Sequence, residues 1–245
     1  MEPWDLVFEH RYDEAAAIYE RMLSVTPDDK LVLAAHGTAL LCMGRLHEAL
    51  SDFQRANSLD QEESGGESSG YSVKLALIHW LLGEHYEAMN VLWRILDDLR
   101  IGRVQFADLA GGASPGMLLW YMALEKQNSG MHEFALTFLD GLTTKRSLAG
   151  LWPGILALFA LGRADFNDVL RDIGETQNLG RIRKRARKDL YVRRQLCKAH
   201  FYLGVKYLAI SEEGEYLRQL AECTALENPI IEPEWYIARA VTAKT

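Results

Sequence analysis

A 34-residue echo near the start of the chain constrains its fold more than any single residue does. Tyr12-Asp13-Glu14-Ala15 returns as Leu46-His47-Glu48-Ala49, Tyr19 returns as Phe53, and Met22 as Ala56. A period of that length is the mark of one helix–turn–helix unit stacked on the next, because no single unit can bury its apolar face alone. Apolar residues recur at helical spacing along most of the chain and strand-like alternation is scarce, so the expected fold class is all-α. The period predicts helices over Tyr12–Val25, Lys30–Met43 and Leu46–Leu59. Pro27 closes the first, the aspartates after it suit the start of the second, and Gly44 forms the hinge to the third.

Composition narrows the class further. The 245 residues are 49% hydrophobic, enough for a large core. Three cysteines without a CxxC pair argue against a disulfide framework or a cysteine-built zinc site and fit a reducing compartment. The acidic start Met1-Glu2-Pro3-Trp4-Asp5 lacks the basic and apolar regions of a signal peptide. The apolar stretch at 151–161 is too short to span a bilayer. A soluble, cytoplasmic protein is expected, with no membrane contact. The net charge of −7 conceals an asymmetry: residues 181–198 hold nine Lys or Arg and one acid, while the remainder is strongly acidic. An acidic body steers cationic partners toward it and disfavours nonspecific nucleic-acid binding.

Gly37, Gly44, Glu48, Ala49, Phe53 and Ala56 together resemble the tetratricopeptide repeat, with small residues where the two helices of a hairpin cross and a large one filling the gap between hairpins. Ala15, Tyr19 and Pro27 supply the preceding half-repeat. Ala76, Gly83, Glu87, Ala88, Leu92 and Ile95 fit a third unit. Ala123, Gly130, Glu133, Ala135, Leu139 and Leu142 fit a fourth, and Ile155 and Gly162 begin a degenerate fifth in which Asn167 replaces an expected alanine. The resemblance implies a superhelical array of antiparallel helix hairpins, an α-solenoid, forming one domain over 1–245. Within it, 1–60 holds clear repeats, 61–70 a flexible Glu/Ser/Gly-rich loop, 71–165 degenerate repeats, and 175–245 a basic arm with C-terminal capping helices.

The same resemblance assigns a concave groove to Leu41, Leu77, Trp80, Trp120, Gln127, Asn128, Trp152 and Phe159. This groove is apolar and lacks the Lys/Asn/Arg set with which some family members clamp a C-terminal carboxylate. Its tryptophans would anchor a partner helix or peptide. The competing reading closes the groove with the chain's own Trp235, Tyr236 and Ile237, or turns the tryptophans into packing between helices. Arg181, Arg183, Lys184, Arg185, Arg187, Arg193 and Arg194 form the electrostatic arm. It pairs with the acidic body, lies as a solvated helix face, meets an acidic protein partner, or meets RNA, although Tyr191 is its one nearby aromatic and offers no stacking platform.

Catalytic and metal motifs are missing. His47-Glu48 and His132-Glu133 each lack the second histidine of a zinc-binding helix, and the glycines at 111–116 lack the Lys-Ser/Thr of a phosphate loop. No enzyme activity, cofactor or metal is expected. The chain reads as a protein-binding repeat protein for a basic partner, most concretely an immunity protein that neutralises a cognate bacterial toxin. A compact chain without an appended catalytic domain motivates that version. The alternatives are a scaffold or chaperone that accepts a peptide segment, and RNA binding through the 181–198 arm. The sequence leaves oligomeric state open.

Overall fold

The computed structural model describes residues 2–64, 71–103, 112–145, 150–178, 185–226 and 232–244; the side chains of 64, 175–178 and 185–188 fall outside that description. Among the described residues the chain is all-helical, with thirteen helices and no strand. Contacts divide the chain into two compact units, Met1–Val104 and Gln105–Thr245.

In the first unit, α1 (Pro3–Phe8), α2 (Tyr12–Val25), α3 (Lys30–Cys42), α4 (Leu46–Ser64), α5 (Ser72–Leu81) and α6 (His85–Arg100) each pack on their neighbours in the chain. Asp29 caps α3, its carboxylate accepting from the backbone N–H groups of Leu31 (3.0 Å) and Val32 (3.2 Å). Ala49, Phe53, Ala88 and Leu92 are buried between helices, as the repeat pattern predicts. Of the loop predicted at 61–70, residues 61–64 are helical instead, because α4 continues through Ser64. Lys30 Nζ holds its last turns by pairing with Asp60 (2.6 Å) and Glu63 (2.5 Å). Residues 65–70 lie outside the described set.

The second unit contains α7 (Ala113–Glu125), α8 (Ser129–Thr144), α9 (Gly154–Ala160), α10 (Phe166–Asn178), α11 (Arg185–Ala209), α12 (Glu213–Ala225) and α13 (Pro233–Thr242). Here packing departs from a simple neighbour-to-neighbour order. The 25-residue α11 touches α7, α9, α10, α12 and α13, so it is the central strut of this unit.

One turn recurs in both units. His10, Gly44, Gly83, Gln127, Gly162 and Ser211 all adopt left-handed backbone, with φ of 61, 77, 83, 52, 72 and 62°. The residue after each donates its N–H to the carbonyl five positions back: Arg11 to Leu6, Arg45 to Leu40, Glu84 to His79, Asn128 to Ala123, Arg163 to Leu158 and Glu212 to Tyr207, all at 2.8–2.9 Å. Each left-handed residue donates its own N–H three positions back, at 3.0–3.2 Å. These paired bonds are the Schellman cap, which satisfies carbonyls that a helix end would otherwise leave orphaned. Six hairpins therefore turn in the same way, including one at Ser211 that lies well past the point where the sequence pattern fades.

This turn corrects the fourth repeat. The pattern gives its hinge to Gly130, yet Gly130 lies inside α8 and Gln127 makes the turn. The position held by Gly37 and Ala76 then falls on Trp120, and the one held by Ala49 and Ala88 falls on His132. A side chain in left-handed backbone costs roughly 1–2 kcal/mol relative to glycine. Gly44→Ala is thus expected to lower stability by about 1 kcal/mol, while Gln127→Gly raises it by a similar amount. Urea midpoints with unchanged slopes would read both, and a destabilised Gln127→Gly would contradict the turn.

Candidate partner-binding site

The residues assigned to a groove separate into three environments. Leu41, Trp80 and Phe159 share one place in their hairpins: each is three residues before a left-handed residue and accepts its N–H. All three are buried, as is Leu77. Trp80 packs edge-on against the His85 ring at 4.5 Å. In the first unit these side chains are core, matching the reading in which the tryptophans pack between helices.

In the second unit Trp120 and Phe159 converge on a cation that sequence reasoning missed. Lys206 Nζ lies 5.7 Å from the Trp120 ring centre and 5.6 Å from that of Phe159, and donates to the Ala160 carbonyl at 2.6 Å. Burial lowers the Lys206 pKa from its ordinary value. Trp120 also stacks on Tyr202 at 6.3 Å and donates from Nε1 to His132 Nε2 at 3.1 Å. Burial lowers the His132 pKa as well, which keeps the imidazole neutral and able to accept. The aromatic cover over Trp120 comes from α11 rather than from Trp235 and its neighbours, which pack on α11 and α12. Trp152 is half-buried, just before α9.

The electrostatic arm is partly absorbed inside the second unit. Arg181, Arg183 and Lys184 lie outside the described residues, as do the side chains of Arg185 and Arg187. Arg193 is half-buried. Arg194 Nε donates to Glu232, and Lys198 Nζ lies 3.0 Å from Glu232 and 3.8 Å from Glu234. Ser114 Oγ accepts from Lys198 at 3.1 Å, and Tyr202 donates its hydroxyl to Glu234 at 2.8 Å. Both carboxylates are 1–2% exposed. Burial alone would raise the Glu232 pKa, but the Lys198 and Arg194 charges outweigh it and hold that carboxyl below its ordinary value. Arg194 and Lys198 therefore act as counter-ions to buried carboxylates; the Lys198 side chain is 11% exposed and that of Arg194 33%.

An open concavity of this unit lies elsewhere. A pocket of about 600 Å³ is lined by the ends of four helices. Leu124 and Gln127 come from the end of α7, Leu208 and Ser211 from the end of α11, Glu213 and Leu217 from the start of α12, and Val241 and Lys244 from the end of α13. Two Schellman turns, at Gln127 and Ser211, thus meet at one mouth. Three helix C-termini bring partial negative charge there and the α12 N-terminus partial positive charge, while Glu125 and Glu213 add carboxylates. Lys244 is the one cation among the lining residues. The lining thus mixes the apolar Leu124, Leu208, Leu217 and Val241 with two carboxylates and one ammonium. Of the predicted groove residues, Gln127 reaches this pocket, while Asn128 caps α8 by accepting from the Met131 N–H at 3.1 Å.

No protein-family model matches the chain, and no curated protein matches it in sequence. Among the described residues no helix is long and apolar enough to cross a membrane, and no group of three or more His, Cys, Asp or Glu side chains is placed to hold a metal ion.

Proposed function

We propose that this chain is a tetratricopeptide-type helical-repeat protein whose role is to bind another protein, and that the 600 Å³ pocket of its second unit receives a basic, partly apolar segment of that partner. The observation that carries this reading is the recurrence of one capped hairpin six times, since repeated hairpins build surfaces for recognition. The pocket supports the choice of partner. Its leucines and Val241 supply apolar contact area, and Glu125 and Glu213 favour a lysine or arginine side chain. The most concrete version is neutralisation of a toxic protein domain by direct binding, in a cytoplasmic setting and without catalysis.

Two measurements test this. A labelled peptide alternating Leu and Lys should bind the full chain, weaken as salt rises, and lose at least tenfold in affinity in the Glu125→Lys, Glu213→Lys double variant. A matched Leu/Glu peptide should not bind. Equal binding of both peptides would remove the electrostatic basis. For the neutraliser version, a toxic domain encoded by a neighbouring reading frame should arrest growth, and co-expression of this chain should restore it; continued arrest would rule that version out.

A further inference from the structure

Two of the three cysteines meet inside the second unit. Cys197 on α11 and Cys223 on α12 are each fully buried, and their sulfurs lie 3.0 Å apart as free thiols. That is about 1 Å beyond a disulfide bond of ~2.05 Å, so a small adjustment would join them. The hairpin explains the meeting. Cys223 follows the left-handed Ser211 by the same interval as Ala56 follows Gly44 and Ile95 follows Gly83, an inward-facing place in every case. Gly204 then lets the two helices close: a Cβ there would lie 3.3 Å from both the Tyr216 carbonyl oxygen and Gln219 Cβ.

We propose that Cys197 and Cys223 are an oxidation site at which a peroxide converts the two thiols into a disulfide tying α11 to α12. One thiol loses its proton, and its sulfur attacks a peroxide oxygen. The O–O bond breaks, giving a sulfenic acid and, once the proton is taken up, water. The second sulfur displaces the sulfenic oxygen as a second water while the S–S bond forms. Two thiols and one hydrogen peroxide thus yield one disulfide and two waters, with sulfur oxidised and peroxide oxygen reduced. Burial pushes the Cys197 thiol well above its ordinary pKa, so reaction proceeds through brief openings of the α11–α12 hairpin and is slow in the closed state. Since α11 braces five other helices, the bond would restrain the element on which the second unit depends. This site stands independently of the partner proposed above.

The test uses the full chain carrying Cys42→Ser, which leaves only this pair. Treated with dilute hydrogen peroxide in the folded state, it should lose both titratable thiols together, lose the mass of two hydrogens, and recover both thiols with dithiothreitol. A proteolytic map should join the peptides holding 197 and 223, and the oxidised form should melt several degrees higher than the reduced one. With Cys223→Ser added, the dithiothreitol-reversible loss within one chain should vanish. Retention of both thiols in the folded chain, under conditions that oxidise the urea-unfolded chain, would overturn the proposal. So would loss that dithiothreitol cannot reverse, or a disulfide that lowers the melting temperature.

Discussion

Lys198→Met is expected to cost the second unit about 3–5 kcal/mol, the penalty for removing one partner of a buried ion pair and leaving the other uncompensated. Its ammonium lies within 4 Å of both Glu232 and Glu234, and Arg194 reaches only the first of them among the contacts described. Folded domains are typically stable by about 5–15 kcal/mol, so a loss of this size brings the unit close to unfolding. Replacing the whole cluster, with Arg194→Met, Lys198→Met, Tyr202→Phe, Glu232→Leu and Glu234→Leu together, should recover much of it, because apolar replacement of a complete buried cluster is often neutral. Urea unfolding by circular dichroism reads both; a shift under about 1 kcal/mol for the single variant would mean that water reaches the cluster.

The same cluster sets a pH window. Glu232 is held below its ordinary pKa, so its contribution is complete above the unfolded carboxyl value of about 4.3 and is lost as pH falls through the folded value. Burial alone would lower the Lys198 pKa, but Glu232 and Glu234 raise it. Its contribution is therefore complete below the unfolded lysine value of about 10.4 and is lost as pH rises through the folded one. Stability of the second unit should be flat between those limits and fall on both sides. Glu232→Gln should flatten the acid limb.

Trp120→Ala is expected to cost about 3–5 kcal/mol, as large-to-small changes in a packed core do. Trp120 is 3% exposed, is covered by Tyr202, and satisfies its indole N–H on His132. Trp120→Phe keeps an aromatic ring, though a smaller one, and removes the hydrogen bond, so it should cost less, about 1–3 kcal/mol. An anchor for a partner would behave in the opposite way, losing affinity at nearly constant stability. Stability of the second unit unchanged within about 0.5 kcal/mol would return Trp120 to the binding surface.

The sequence made the helices legible because their stops are chemical. Gly44, Gly83 and Gly162 are glycines where left-handed backbone needs them, and Pro27 and Asp29 punctuate α2 and α3 as their chemistry requires. The turns at His10, Gln127 and Ser211 were hidden because ordinary side chains occupy the strained position there. Gly130, a glycine in a helix interior, drew the fourth register away by three residues. That shift placed Trp120 in a groove when it belongs at a helix crossing. Nothing in the local sequence marks Glu232 and Glu234 as buried, since their partners Arg194 and Lys198 lie more than thirty residues away, inside a basic run that reads equally as solvated or as paired with the acidic body. Pocket residues were illegible for a similar reason: four helix ends from distant parts of the chain must come together before a mouth exists.

The six identical hairpin caps, whose bonds recur once more at Gly102 where α6 ends, divide the chain into a constant part and a variable one. Thirty-four residues separate His10 from Gly44, and forty-nine separate Gly162 from Ser211, yet the hydrogen bonds at the turns are the same. Length varies in the stretches joining one hairpin to the next and in how far the helices run. A lineage of such chains would be free to lengthen or trim those joints and so redraw its recognition surface, while inheriting the fold-back of each hairpin as a finished part.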